Sequence, residues 1–273
     1  VSDRLTVAMQ VYRGDPVLLY DAGLLKKGAS ISFMDLSSDQ LVMMDSTGKT
    51  VFSLMLATKN GQVIGGGEVY SSSRAVSLGG DKAFVLVNDG IHMIRTTDKK
   101  TEQFVVKKDS EWGSIASMVA FGGNLYLLDT TKSRIWKYVA TEKGFSERRE
   151  YLNPDTLPDL TWATNMVIDG SVWIGTTTGK IMRFTQGKEN TFIPQGVTPV
   201  LGKNLFVYTS SDVTRVYVLD FDNKRVVVLG KDGTYVSQFV WESTVKPTQM
   251  VASETLKKII LLAEGKLYAF ELK

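Results

Sequence analysis

The sequence predicts an all-β chain: a closed ring of six four-stranded antiparallel blades, the last completed by a strand from the N-terminal end. Three observations carry this. Helical periodicity is nearly absent, while short runs of β-branched and aromatic residues recur between Gly, Asn, Asp and Ser. These runs group into a unit that returns every 40–48 residues, the period of four-stranded propeller repeats. The final unit is one strand short, and an apolar segment near the N-terminus has the pattern to supply it.

The unit consists of a short strand, a tight turn, a strand ending near Asp, a second turn and a third apolar strand. Its clearest copies lie at 41–52, 125–136 and 216–227, with weaker ones at 83–94, 172–184 and 259–270. In each copy the strand before the second turn is an almost continuous apolar run, as a strand buried on both faces between neighbouring blades requires. The innermost strands are expected near Ile31, Ala75, Ser117, Asn165, Leu205 and Gln249, which makes six blades. The last unit provides only three strands, at 249–253, 258–263 and 266–271. Residues 16–21 (Pro-Val-Leu-Leu-Tyr-Asp) precede the first inner strand just as 234–239 precede the sixth, and are expected to close the ring without leaving a raw sheet edge. The propeller is therefore placed at 16–273 as a single domain. Residues 1–15 are left as a lead-in or an extra edge strand, with alternation at 5–12.

Within this frame, Asp220-Phe221-Asp222-Asn223-Lys224-Arg225-Val226, followed by Gly233-Thr234-Tyr235-Val236, resembles an NHL-type repeat. That signature is an Asp, a turn with Asn, a basic residue and a β-branched strand. Asp129 with Ser133-Arg134-Ile135, and Asp45 with Gly48-Lys49-Thr50, are degenerate copies in which Ser or Gly stands where Asn is expected. The chain also loosely resembles propeller modules of membrane-linked bacterial proteins, some with a protein-phosphatase-like domain upstream. The NHL-type resemblance implies ligand, protein or RNA binding rather than one chemistry.

Composition narrows the function classes. Apolar residues at 43% and charged residues at 22% are those of a soluble globular chain. The net charge of +3 is spread out, and pairs such as Lys107-Lys108 are interrupted at once, so no basic stripe for phosphates is visible. This argues against nucleic acid, although RNA binding stays a third reading because scattered basic residues can converge in three dimensions. The chain has no cysteine, which removes thiol catalysis and cysteine zinc sites; a thiol-free chain suits an extracytoplasmic location. No apolar run is long enough to span a bilayer. The start at Val1, without a signal-peptide pattern, suggests a module cut from a longer protein, expected to be monomeric when isolated.

No catalytic constellation, metal site or cofactor motif emerges. The sole histidine, His92, has no recognisable nucleophile to pair with. Gly65-Gly66-Gly67 lacks the Lys-Ser/Thr sequel of a phosphate loop and is expected to give slack between the first two blades. The Asp-bearing turns are expected to bond their own backbone. Met43, Met44, Met166, Trp136 and Trp173 fall on strands and read as core. Three connections between blades stand out because each sets a tryptophan beside acidic residues: Glu111-Trp112, Asp159 with Trp162, and Trp241-Glu242. Tryptophan is enriched where partners are anchored; the alternative is that each ring folds inward as a plug. The chain is accordingly expected to be a non-catalytic binding or scaffold module for a protein, peptide or glycan. A calcium-dependent lactonase or hydrolase is the alternative. It would need Asp, Glu and Asn converging from several inner strands, where only Asn165 and Asp35 are positioned.

Overall fold

The computed structural model describes residues 9–273, apart from the side chain of Gln103. Two short strands, β1 (Val11–Arg13) and β2 (Val17–Tyr20), precede the repeat. Blade 1 comprises β3 (Phe33–Ser37), β4 (Gln40–Asp45), β5 (Thr50–Met55) and β6 (Asn60–Gly66). Blade 2 comprises β7 (Ala75–Gly79), β8 (Lys82–Val87), β9 (Gly90–Arg95) and β10 (Thr101–Lys107). Blade 3 runs through β11 (Ile115–Phe121), β12 (Asn124–Asp129) and β13 (Arg134–Tyr138). A small hairpin, β14 (Ala140–Thr141) with β15 (Gly144–Phe145), then leads to a two-residue outer strand, β16 (Arg149–Glu150). Blade 4 is built from β17 (Ala163–Ile168), β18 (Val172–Thr176), β19 (Ile181–Thr185) and β20 (Lys188–Asn190). Blade 5 has β21 (Leu205–Tyr208), β22 (Arg215–Asp220), β23 (Arg225–Gly230) and β24 (Tyr235–Val240). Blade 6 has β25 (Pro247–Ser253), β26 (Lys258–Ala263) and β27 (Lys266–Glu271).

The inner strands touch in the cycle β3, β7, β11, β17, β21, β25 and back to β3, so the ring is closed. β2 supplies the fourth strand of blade 6, antiparallel to β27 with Val17 opposite Ala269 and Leu18 opposite Tyr268, as the segment 16–21 was expected to do. β1 adds a fifth strand to blade 5, parallel to β24 from Val11–Gln238 to Arg13–Val240. The N-terminal chain thus crosses from the rim of blade 5 to that of blade 6. Residues 1–8, part of the segment read as lead-in or edge strand, lie outside the described residues.

The second strand of each blade explains the stability of the disc. Leu41–Met44, Val216–Leu219 and Ile259–Leu262 are at most 1% exposed because both of their faces meet a neighbouring blade. Each such side chain contributes roughly 1.5–3 kcal/mol on burial. Met43, Met44, Met166, Trp136 and Trp173 are all core, as expected. Among the described residues no helix is long and apolar enough to cross a membrane.

Two faces follow from the alternation of strands. One carries the outer-to-inner connections and the turns between second and third strands, and is termed here the loop face. The opposite face carries the inner-to-second connections.

Candidate functional site

The loop face is held together by the repeated aspartate. Asp45, Asp129 and Asp220, all buried, end the second strands of blades 1, 3 and 5. Each carboxylate accepts the N–H three residues on: Gly48 at 2.6 Å, Lys132 at 3.0 Å and Asn223 at 3.3 Å. Each also accepts an N–H from the incoming connection: Ser30 at 3.0 Å, Gly113 at 2.7 Å and Gly202 at 3.2 Å. The approach is close enough that a Cβ on Gly113 would lie 2.6 Å from Asp129 Oδ1. The motif therefore fastens each turn to the loop before its blade. One alignment needs correction, since Lys132, not Ser133, occupies the position of Gly48 and Asn223. Ser133, Lys49 and Lys224 are the next residue, and it is they that adopt positive φ, between 47° and 53°.

The three tryptophan connections lie on this face and have different fates. Trp162 is 55% exposed, immediately before β17, with its carbonyl accepting the Thr177 N–H at 2.8 Å. Asp159 beside it is exposed and accepts the Thr161 N–H at 3.0 Å. Hydrogen bonds from Thr161 hold that carboxyl below the usual range. Trp112 is half-buried, its indole N–H donating to Tyr138 Oη at 2.7 Å. Burial pushes the Tyr138 hydroxyl up to about 12. Neighbouring Glu111 stays exposed, in a loop pinned where Arg148 pairs with Asp109 at 2.7 Å and stacks on Trp136. Trp241 is 3% exposed and takes the plug role: its ring packs near Phe270 and its N–H donates to Val245 O at 3.1 Å. Glu242 remains exposed, its backbone N–H donating to Asp15 at 3.2 Å.

A cavity of about 170 Å³ runs down the centre, lined by all six inner strands. Several of its polar side chains join one blade to the next. Asp35 of β3 accepts from Ser77 Oγ at 2.7 Å and Leu78 N at 2.8 Å. Ser77 in turn accepts from Ala120 N at 2.9 Å. Asn165 of β17 uses both ends of its amide on Val207, donating to the carbonyl at 2.7 Å and accepting the N–H at 3.0 Å. Gln249 accepts Met34 N at 2.8 Å, joining blade 6 to blade 1. The two residues best placed for a converging site, Asp35 and Asn165, thus serve as inter-strand links. The channel is also smaller than the roughly 300–1,000 Å³ of ordinary ligand pockets. Among the described residues no group of three His, Asp or Glu side chains is placed to hold a metal.

Burial raises the Asp35 carboxyl to about 6, against the downward pull of its bonds to Ser77, Leu78 and Leu36. A folded value above the unfolded 3.8 means that the folded protein holds this proton more tightly. The contribution is fully present below about pH 4 and lost as pH rises through about 6. Asp35→Asn should therefore gain stability relative to the parent between pH 4 and 7, by on the order of 1–3 kcal/mol. Urea unfolding of both proteins across that range measures it, and a difference independent of pH would show that Asp35 does not titrate there.

His92 lies on β9 in the outer part of blade 2, fully buried between Tyr70 and Phe104, with neither ring nitrogen partnered among the described residues. Burial holds its pKa below the ordinary value, so it is a neutral core residue. The glycine run differs from expectation. Gly65 and Gly66 pair with Val51 and Thr50 inside β6, and a Cβ on Gly65 would lie 2.6 Å from Ile94 Cδ1. These glycines allow close packing where slack was expected.

No protein-family model and no curated protein sequence matches this chain. Solved structures do share its fold. A calcium-binding protein, regucalcin, from Agrobacterium tumefaciens has 12% identity and a TM-score of 0.62, over 96% of this chain and 95% of that one. A gluconolactonase from Xanthomonas campestris has 10% identity and a TM-score of 0.60, over 95% and 96%. A streptogramin B lyase has 9% identity and a TM-score of 0.59, over 90% and 94%. At such identities they establish a six-bladed β-propeller and carry no chemistry with it.

Proposed function

We propose that this propeller is a non-catalytic binding module whose loop face recognises a protein, peptide or glycan. The observation that carries this is the exposed ring of Trp162, flanked by Asp159, on a connection whose ends are fixed by backbone hydrogen bonds. A rigid aromatic surface beside a polar group suits recognition, because little side-chain entropy is lost on contact. The NHL-like turn of blade 5 supports the same class. The lactonase reading has support in the fold of the gluconolactonase alone. The engagement of Asp35 and Asn165 in the channel wall weighs against it.

The test is to screen the protein on peptide and glycan arrays and then repeat the retained spots with Trp162→Ala. Stability should change by less than about 0.5 kcal/mol, the usual range for a surface substitution, while the retained signals fall at least tenfold. Undiminished binding by the variant would remove Trp162 from the site. Turnover of a lactone by the parent protein, lost with Asp35→Asn or Asn165→Ala, would replace the binding reading with an enzymatic one.

A further inference from the structure

The face opposite the tryptophans holds a second pocket. We propose that it binds a primary ammonium group on a short aliphatic stem, carried by a free amine or a lysyl side chain. Four of the six inner-to-second connections are tight, two or three residues long, but that of blade 5 extends over residues 209–214. This loop reaches across blade 6 to blade 1, where Asp212 Oδ2 accepts the Ser38 N–H at 3.0 Å. It is fixed at its far end by Glu254, which accepts from Thr214 N at 2.9 Å, Arg215 N at 3.2 Å and Tyr217 Oη at 3.1 Å. Val213 anchors its middle in the core. Beneath it lies a cavity of about 290 Å³, at the lower bound of small-ligand pockets, which favours a compact ligand over a nucleotide or oligosaccharide.

The lining fixes the chemistry. Leu36, Tyr208, Ala252 and Leu256 supply apolar surface, and Asp39 and Asp212 supply two carboxylates. Asp39 Oδ1 accepts the Ala57 N–H at 2.9 Å. Asp39 Oδ2 and Asp212 Oδ1 have no partner among the described residues, and no basic side chain lines the cavity. Two carboxylate oxygens beside an apolar wall match an ammonium head with a methylene stem, since long cationic chains bury the stem while the head stays polar. The held loop makes the cavity preformed, which lowers the ordering cost of binding.

Titration calorimetry with n-pentylamine, 1-pentanol and pentanoate at pH 7 tests the class, and a short peptide with one lysine compared with its acetyllysine form tests the lysyl source. Pentylammonium should bind at least tenfold more tightly than pentanol, and pentanoate not measurably. Asp39→Asn and Asp212→Asn, which keep the oxygens that accept the Ala57 and Ser38 N–H groups, should each weaken pentylammonium at least tenfold. Trp162→Ala should leave it unchanged, separating this pocket from the loop face. Equal binding of amine and alcohol, no binding to the folded protein, or indifference to both Asn variants would overturn the proposal. So would stoichiometric displacement by Ca²⁺ with carboxylate-dependent affinity, which would assign Asp39 and Asp212 to a metal. Binding of the free amine without the lysyl peptide would assign a small-molecule source, and preference for the lysyl peptide a protein one.

Discussion

Replacing Arg225 with leucine is expected to destabilise the propeller by about 3–5 kcal/mol, the usual cost of removing one partner from a buried ion pair. The side chains of Arg225 and Asp220 are 2% and 0% exposed and meet at 3.0 Å. The guanidinium also donates to Gln238 Oε1 at 2.7 Å and to the carbonyls of Pro199 and Val200 at 2.6 and 3.0 Å. It therefore clamps the connection into blade 5 against two strands of the same blade. Leucine would leave a buried carboxylate, an amide oxygen and two carbonyls short of donors at once. Lysine would keep the charge but could not span these acceptors with one ammonium, so Arg225→Lys should recover only part of the loss. Pairing Arg225→Met with Asp220→Asn should cost less than Arg225→Leu alone, because no charge is then stranded. Urea midpoints at constant m-value measure all three, and a cost below 1 kcal/mol for Arg225→Leu would show that water already solvates this clamp.

The same clamp shows what sequence could and could not disclose. The Asp220–Arg225 turn was visible as a repeated motif, because its geometry is local and a single carboxylate serves two backbone N–H groups within one unit. Its reach to Pro199 and Val200 was not, since those residues belong to a connection with no repeating pattern. Blade period was legible for the same local reason, and the expected starts at Ser117, Asn165 and Gln249 fall on the first regular residue after a bulge in β11, β17 and β25. The strand at Val17–Tyr20 was legible because a ring one strand short must borrow one. Exposure of the loop tryptophans was not legible, because it depends on partners from other strands: Tyr138 covers Trp112 and Phe270 packs near Trp241, whereas Trp162 stays 55% exposed. The pocket beneath residues 209–214 left no signal either. That segment is a Ser- and Asp-containing loop like many others until closure of the ring brings Ser38 of blade 1 to Asp212.

Trp241→Ala is expected to cost about 3–5 kcal/mol, the range for truncating a large buried aromatic, and to lower the melting temperature on the order of 10 °C. The ring lies in the principal core cluster with Phe239 and Phe270, where blade 5 hands the chain to blade 6. Alanine would open a cavity at that junction and leave Val245 O without its indole donor. The crossing N-terminal segment is fixed at the same place, since Asp15 accepts the N–H groups of Glu242 and Ser243 at 3.2 and 2.9 Å. Loosening this loop should therefore raise amide exchange in β1 and β2 as well as locally. Trp241→Phe keeps most of the buried area and loses the hydrogen bond, so it should cost about 1–2 kcal/mol. Thermal melts of the two variants beside Trp162→Ala provide the decisive contrast. If Trp241→Ala melts within 2 °C of the parent, the ring is not a plug and the loop face must be redrawn with two open tryptophans, whereas the expected large loss assigns Trp241 to closure of the disc and leaves recognition to Trp162.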